Sequence, residues 1–210
     1  MAIFDFDGTL ATSGEWFYDV YNNIARKYKT RVISFEEYKM LKGRNPRFVI
    51  SYLKISGWKL PILVREVRKM ATRDVDMFQA YDWVYDVLKD LRELDVSIAV
   101  VSSNSEKNMR YVLGGQVASL IDYYSAGVSI FGKAPKFKKA IRKCKASHSS
   151  TFSIGDEIRD IEAARKVGIK SIAVSWGNGT FSSLKDMNPT AAVERPEEIL
   201  TLFQSGSHSR

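Results

Sequence analysis

Short β-prone runs that alternate with helical stretches set the strongest limit on how this 210-residue chain can fold. Residues 2–6, 96–101, 151–154, 171–174 and 191–193 are brief, mostly apolar and bounded by polar or glycine-rich sequence, as buried strands are. Between them, Tyr81, Val84, Tyr85, Leu88, Leu91 and Leu94 recur at helical spacing and predict a helix over 81–94. Helices are also predicted over 105–113, 135–145 and 157–167, the last closed by Gly168 as a C-terminal cap. Strand–helix–strand order requires crossover connections. The predicted fold class is therefore α/β, a parallel sheet with helices on both faces. In such sheets ligands gather at the carboxyl ends of the strands.

Residues 14–73 interrupt this alternation with helical patterns and no strand. Trp16, Phe17, Val20, Ile24 and Tyr28 form one apolar face, residues around 48–55 a second helix, and Ile62, Val64, Val67 and Met70 a third. The expected organisation is a core built from 1–12 and 78–204, a small α-helical domain inserted at 13–77, and a disordered tail at 205–210. The hinges would lie near 11–14 and 74–80.

Charge is concentrated in that insert. Residues 13–77 carry 14 Lys+Arg against 7 Asp+Glu, a net of +7, whereas the whole chain carries +8. Such a surface raises the local concentration of anionic ligands, or is simply solvated. No zinc-finger spacing or RNA-binding aromatic signature accompanies it, so a nucleic-acid partner is not expected. No apolar run is long enough for a membrane span. Residues 2–6 read as a strand rather than a signal peptide. With Cys144 as the single cysteine, a reducing, cytoplasmic setting is expected.

Four features fall at predicted strand ends. In Phe4-Asp5-Phe6-Asp7-Gly8-Thr9-Leu10, two carboxylates two residues apart point roughly the same way if the pleat continues. Buried like charges at that spacing are costly without a cation, and Mg²⁺ suits a few carboxylates, waters and a phosphate. In Val100-Val101-Ser102-Ser103-Asn104, a hydroxyl at a strand end can donate to a phosphate oxygen, and the following helix adds backbone N–H groups. In Phe131-Gly132-Lys133-Ala134-Pro135, a lysine at a helix start can neutralise phosphate. Nearby Lys136, Lys138, Lys139 and Lys143 read as a solvated helix face. In Gly155-Asp156-Glu157-Ile158-Arg159-Asp160, Asp156 follows a strand and Asp160 lies one helical turn on, so both can serve a metal site. Taken singly, these also read as an Asp-Gly turn, a serine helix cap, a surface lysine and an aspartate N-cap. Glu157 is read as complementing the helix dipole.

In this order, each at a strand end, the stretches FDFDGTL, VVSSNS, FGKAP and GDEIRDIEAARKVG resemble the haloacid-dehalogenase superfamily, and more closely its phosphoglycolate-phosphatase-like branch. The resemblance implies a Rossmann-like core with a small helical cap, and Mg²⁺-dependent hydrolysis of a small-molecule phosphate ester. It implies that Asp5 is the nucleophile, forming an aspartyl-phosphate, and that Asp7 is the general acid and then base. Ser102 would bind the phosphoryl group, and Lys133 would contact both phosphate and Asp5. Asp5, the backbone carbonyl of Asp7 and Asp156 would hold Mg²⁺, with Asp160 in support. Thr9, Ser103 and Asn104 are further candidate substrate contacts. The insert's charge adds Arg44 and Arg47, beside the turn at Gly43 and Pro46, as readers of the rest of the substrate. The acid at Asp7 favours ester hydrolysis over dehalogenation. A phosphosugar mutase would keep the same residues, and a non-catalytic anion- or nucleic-acid-binding module is the remaining alternative.

Overall fold

The computed structural model describes residues 1–13, 15–42, 44, 46–127 and 132–204, with 46 and 47 described by backbone alone. The expected disordered tail and the turn glycine Gly43 lie outside the described residues, as does the side chain of Arg47.

Six parallel strands form one sheet in the order β5-β4-β1-β6-β7-β8. They are β1 (Ala2–Phe4), β4 (Ile98–Val101), β5 (Tyr123–Ser125), β6 (Phe152–Gly155), β7 (Lys170–Val174) and β8 (Ala191–Val193). β1 is central, pairing Ile3 with Ala99 on one side and with Ser153 on the other. The chain runs outward from β1 through β4 to β5, then crosses back to β6 and runs outward through β7 to β8. The crevice between the ends of β1 and β6 is thus the point where connections diverge, the favoured place for a ligand.

Strand alternation feeds two apolar layers. Phe4, Ile98, Val100, Ile154 and Ile172 face one side and pack with residues of α5 (Val84–Glu93), α6 (Glu106–Ser119) and α10 (Glu198–Gln204). Ile3, Ala99 and Val101 face the other, against Phe137, Ala140 and Ile141 of α7 (Ala134–Lys143) and Ala163, Ala164 and Val167 of α8 (Ile158–Val167). Phe4 and Ile3 are fully buried, each worth about 1.5–3 kcal/mol relative to exposure. Their packing holds the end of β1, and hence Asp5, in place. α9 (Phe181–Asp186) adds Leu184 against Ile161 and Ala173.

A short antiparallel pair, β2 (Ala11–Thr12) and β3 (Gln79–Ala80), carries the chain into and out of a helical segment. That segment contains α1 (Trp16–Lys27), α2 (Phe35–Leu41), α3 (Pro46–Tyr52) and α4 (Leu60–Arg73). Trp16, Val20 and Ile24 of α1 pack with Leu63 and Ala71 of α4, while Tyr21 and Ala25 meet Ile33, Leu41 and Leu53. Val112 of α6 packs against both the α1–α4 group and the sheet's first layer. α2 starts with a capping box in which Ser34 Oγ accepts from Glu37 N at 3.1 Å and Glu37 Oε2 accepts from Ser34 N at 2.9 Å.

The five expected strands and the helices of the alternating region form, with ends shifted by a few residues. α8 ends at Gly168 in the left-handed conformation (φ 74°), as its sequence required. β5, the β2–β3 pair, α2, α9 and α10 are additional to the sequence reading. α6 runs past residue 113 to Ser119, with a break at Gly114 (φ 72°).

Candidate active site

Asp5 leaves β1 with its backbone N–H donating to Ile154 O at 2.9 Å, so the sheet's pairing persists to the carboxylate. It is 4% exposed. Lys133 Nζ stands 2.7 Å from Asp5 Oδ2 and 2.6 Å from Asp160 Oδ1. The contact to Asp160 has hydrogen-bond geometry, while the Asp5 oxygen keeps an unfilled bonding direction. Burial opposes the lysine's charge, but Asp160 and Asp5 outweigh it and raise its pKa. Lys133 is therefore a fixed cation between two acids.

The backbone turns sharply after Phe6. Leu10 N and Ala11 N both donate to Phe6 O, at 2.9 and 3.0 Å, and Gly8 N donates to Ala11 O at 2.7 Å. Gly8 takes φ +84°, and a Cβ there would meet Asp156 Oδ2 at 2.2 Å, so both conformation and space require glycine. The turn sends Asp7 and Thr9 to different partners. Asp7 accepts from Ser102 Oγ at 3.1 Å and Asn104 Nδ2 at 3.3 Å. Burial, followed by the charge of Asp5, pushes the Asp7 carboxyl up to about 6 against the two hydrogen bonds. Thr9 is fully buried, and its hydroxyl donates to Asp156 Oδ1 at 2.8 Å instead of facing substrate.

Ser102 does not cap the helix that follows it. Ser105 does, its side chain accepting from Asn108 N at 3.1 Å. The Ser102 hydroxyl is thereby left to face Asp7 and to accept from Asn104 N at 2.9 Å. Ser103 is partly exposed in the same loop.

Asp156 ends β6 fully buried, and its Oδ2 accepts from Asn178 N at 2.6 Å. Asp160, in the first turn of α8, sits so close to Gly155 that a Cβ there would meet its Cγ at 2.5 Å. Glu157 is the N-cap residue of α8 and pairs with Arg159. Asp5, Asp156 and Asp160 each offer a carboxylate oxygen, all within 4.8 Å of one another. Burial first, then Asp5, raises the pKa of Asp156; burial also raises that of Asp160, against the pull of Lys133. Three buried carboxylates with one lysine between them leave an uncompensated negative charge, and this donor set of hard oxygens fits a divalent cation. The Asp7 side chain points away from this cluster, toward Ser102 and Asn104.

Of the residues expected in the helical segment, Arg44 is exposed, its guanidinium 5.9 Å from the centre of the Phe48 ring. Several site residues escaped the sequence reading. Lys136 does not join a solvated face: its Nζ donates to Ser102 O at 2.9 Å, to Ser125 O at 3.4 Å and to Gly127 O. Burial, then Lys133, push its pKa down to about 8. Asn178 and the glycines around it wrap Asp156, and a Cβ on Gly177 would stand 2.1 Å from the Asp156 Cβ. Trp176, expected near the site's rim, donates Nε1 to Thr9 O at 3.2 Å and packs edge-on to Trp83 at 5.4 Å. The glycine-rich Gly177-Asn178-Gly179 after a strand is the available signal for Asn178. Nothing local marked Lys136 among its neighbouring lysines.

The chain is similar to known proteins along most of its length. The chain is 30% identical over 199 residues to phosphoglycolate phosphatase of Synechococcus elongatus, covering 94% of each chain. It is 23% identical over 207 residues to pyrophosphatase PpaX of Oceanobacillus iheyensis, covering 95% of this chain and 94% of the relative. A haloacid dehalogenase-like family hydrolase from Streptococcus pneumoniae shares the fold with a TM-score of 0.81 at 18% identity, over 96% of this chain and 97% of that one. The family model of the haloacid dehalogenase-like hydrolases matches residues 2–174, a span that holds Asp5, Ser102, Lys133 and Asp156, and the chain belongs to that family.

Proposed function

We propose that this protein is a Mg²⁺-dependent phosphatase of small phosphate esters that works through an aspartyl-phosphate on Asp5. The observation that carries the reading is the pair of surroundings at the end of β1. Asp5 is held by Lys133 beside a buried acid cluster, while Asp7, two residues on, faces Ser102 and Asn104. Two acids in such different environments take different tasks.

Asp5, held beside Lys133, attacks phosphorus in line with the leaving oxygen. Lys133 neutralises charge on the transferring phosphoryl group. Ser102 and the backbone N–H groups of its loop bind the non-bridging oxygens. Asp7, with a pKa raised toward neutrality, protonates the leaving alkoxide and then takes the proton of the attacking water. The acyl-phosphate P–O bond breaks in that second step, returning Asp5 and releasing phosphate. Asp5, Asp156 and the backbone carbonyl of Asp7 would hold Mg²⁺, with Asp160 fixing Lys133 nearby. The ion supplies charge neutralisation and orientation to the phosphoryl group.

Residues 13–77 act in this reading as a cap over a core made of 1–12 and 78–204, joined through β2 and β3. Among the described residues no helix is long and apolar enough to cross a membrane. The single thiol, Cys144, suits a reducing cytoplasm. Phosphate release from p-nitrophenyl phosphate, with and without Mg²⁺ and with Asp5→Asn, tests the function. Turnover that needs both the ion and Asp5 is expected. Full turnover in chelator would refute the role of the ion.

A further inference from the structure

An opening beside the site lies between α4 and the loop that carries Asn104. Its volume is about 660 Å³. Leu60, Pro61 and Val64 line one part of it, and Asn104, Ser105 and Asn108 of the core line another. Asn104 is the residue that donates to Asp7, so the cavity begins where the leaving group departs.

Arg65, Arg68 and Lys69 also line it. They stand at i, i+3 and i+4 on one face of α4, opposite the face whose Leu63 and Ala71 pack on α1. All three are exposed. Like charges so spaced repel one another on an isolated helix. Among the described residues none of the three has a carboxylate within ion-pair distance. Glu66, the acid within that stretch, is bonded to Lys27 at 2.8 Å. Arg68 reaches toward the core, since a Cβ on Gly127 would lie 3.7 Å from its Nη2. Among the described residues the three cations border the space beyond Asn104 without an ion pair of their own, since Glu66, which also feels Arg65 and Lys69, is bonded to Lys27.

We infer that this cavity takes the body of a phosphate monoester of sugar size, and that Arg65, Arg68 and Lys69 hold a second anionic group on that body. The inference rests on the phosphatase reading and extends it. A two-carbon phosphoacid or pyrophosphate would leave most of such a volume empty, because cavities of this order enclose much larger ligands. The apolar wall at Leu60, Pro61 and Val64 suits the carbon face of a sugar chain. Guanidinium groups suit a carboxylate or phosphate, to which they donate in pairs. Arg44, exposed beside Phe48, does not line the cavity.

Matched esters test this: 6-phosphogluconate against glucose 6-phosphate, and fructose 1,6-bisphosphate against fructose 6-phosphate, with 2-phosphoglycolate and pyrophosphate alongside. In at least one pair the member with the second anionic group should exceed its partner, 2-phosphoglycolate and pyrophosphate by about 10-fold or more in kcat/KM. Arg68→Gln and Lys69→Gln should each cut that preference several-fold, mainly through KM. Lys139→Gln, an exposed charge on α7, should leave it intact. Equal rates within both pairs, a best rate on 2-phosphoglycolate or pyrophosphate, or a preference untouched by both α4 variants would overturn the inference alone. Absence of phosphate release from every ester, p-nitrophenyl phosphate included, would overturn the phosphatase reading and this inference together.

Discussion

Thr9 Oγ1 donates to Asp156 Oδ1 at 2.8 Å, joining the turn after β1 to the end of β6 across 147 residues of sequence. With Asn178 N on the other oxygen at 2.6 Å, it fixes the plane of the Asp156 carboxylate. Thr9→Val keeps the shape and removes the donor. Supporting contacts of this kind are worth about 10–100-fold in metal affinity. The Mg²⁺ concentration for half-maximal activity should rise accordingly, while the saturated rate changes less. An unchanged Mg²⁺ requirement would show that the bond does not orient a ligand.

The proposed general-acid role of Asp7 predicts a dependence on leaving group. An alkyl phosphate leaves as a poor alkoxide and needs a proton, whereas an activated aryl phosphate needs it far less. Asp7→Asn should slow phosphoryl transfer from the alkyl ester by about 10²-fold or more, and from the aryl ester much less. Single-turnover rates of transfer to the enzyme give the comparison, and equal fractional losses would count against the general-acid role.

The metal-free protein should lose stability as pH rises. Burial, then Asp5, push the folded Asp7 carboxyl up to about 6, and burial raises Asp156 and Asp160 as well. An unfolded aspartate titrates near 3.9, so the native state binds more protons from about pH 4 to 6 and above. Stability then falls across that window. In chelator, Tm should drop between pH 5 and pH 8, and Mg²⁺ should raise it more at pH 8 than at pH 5. A chelated Tm that climbs over this range would contradict the buried acid cluster.

Lys136 ties the ends of β4 and β5 together through Ser102 O and Ser125 O, so it positions the loop proposed to bind phosphate. Its ammonium, pushed down to about 8, is charged below that pH and lost above it. KM for a phosphate ester should therefore climb above pH 8 in the wild type. Lys136→Arg, which stays charged, should shift that limb upward, and Lys136→Met should raise KM at every pH. A wild-type KM that stays flat through pH 9 would remove this role.

The alternating order of the chain was legible because buried parallel strands are short apolar runs and their helices carry a 3.6-residue period. β5 was not, because Tyr123-Tyr124-Ser125 is three residues long and half polar, and it becomes a strand only by pairing with β4. β2 and β3 are two residues each and exist through their register with one another. α2 did leave a sign in its Ser34-x-x-Glu37 capping box. Asp5, Ser102 and Asp156 could be found from strand ends, and Lys133 from a helix start and motif order. Thr9 on Asp156 and Lys136 on three carbonyls are contacts between distant segments, and no local pattern encodes them. Recognising the basic face of α4 likewise needed the packing of α4 on α1, which decides which side chains face away from it.

The nucleophile itself is open to direct chemical trapping. Enzyme in excess over a phosphate ester, with Mg²⁺, is quenched in acid during the first turnover and reduced with borohydride, which converts an aspartyl-phosphate to homoserine. Peptide mass mapping should find homoserine at position 5 and nowhere else, and none with Asp5→Asn, whose turnover should fall by roughly 10³-fold or more. Conversion at another aspartate, or phosphate release at the wild-type rate from Asp5→Asn, would contradict Asp5 as the nucleophile.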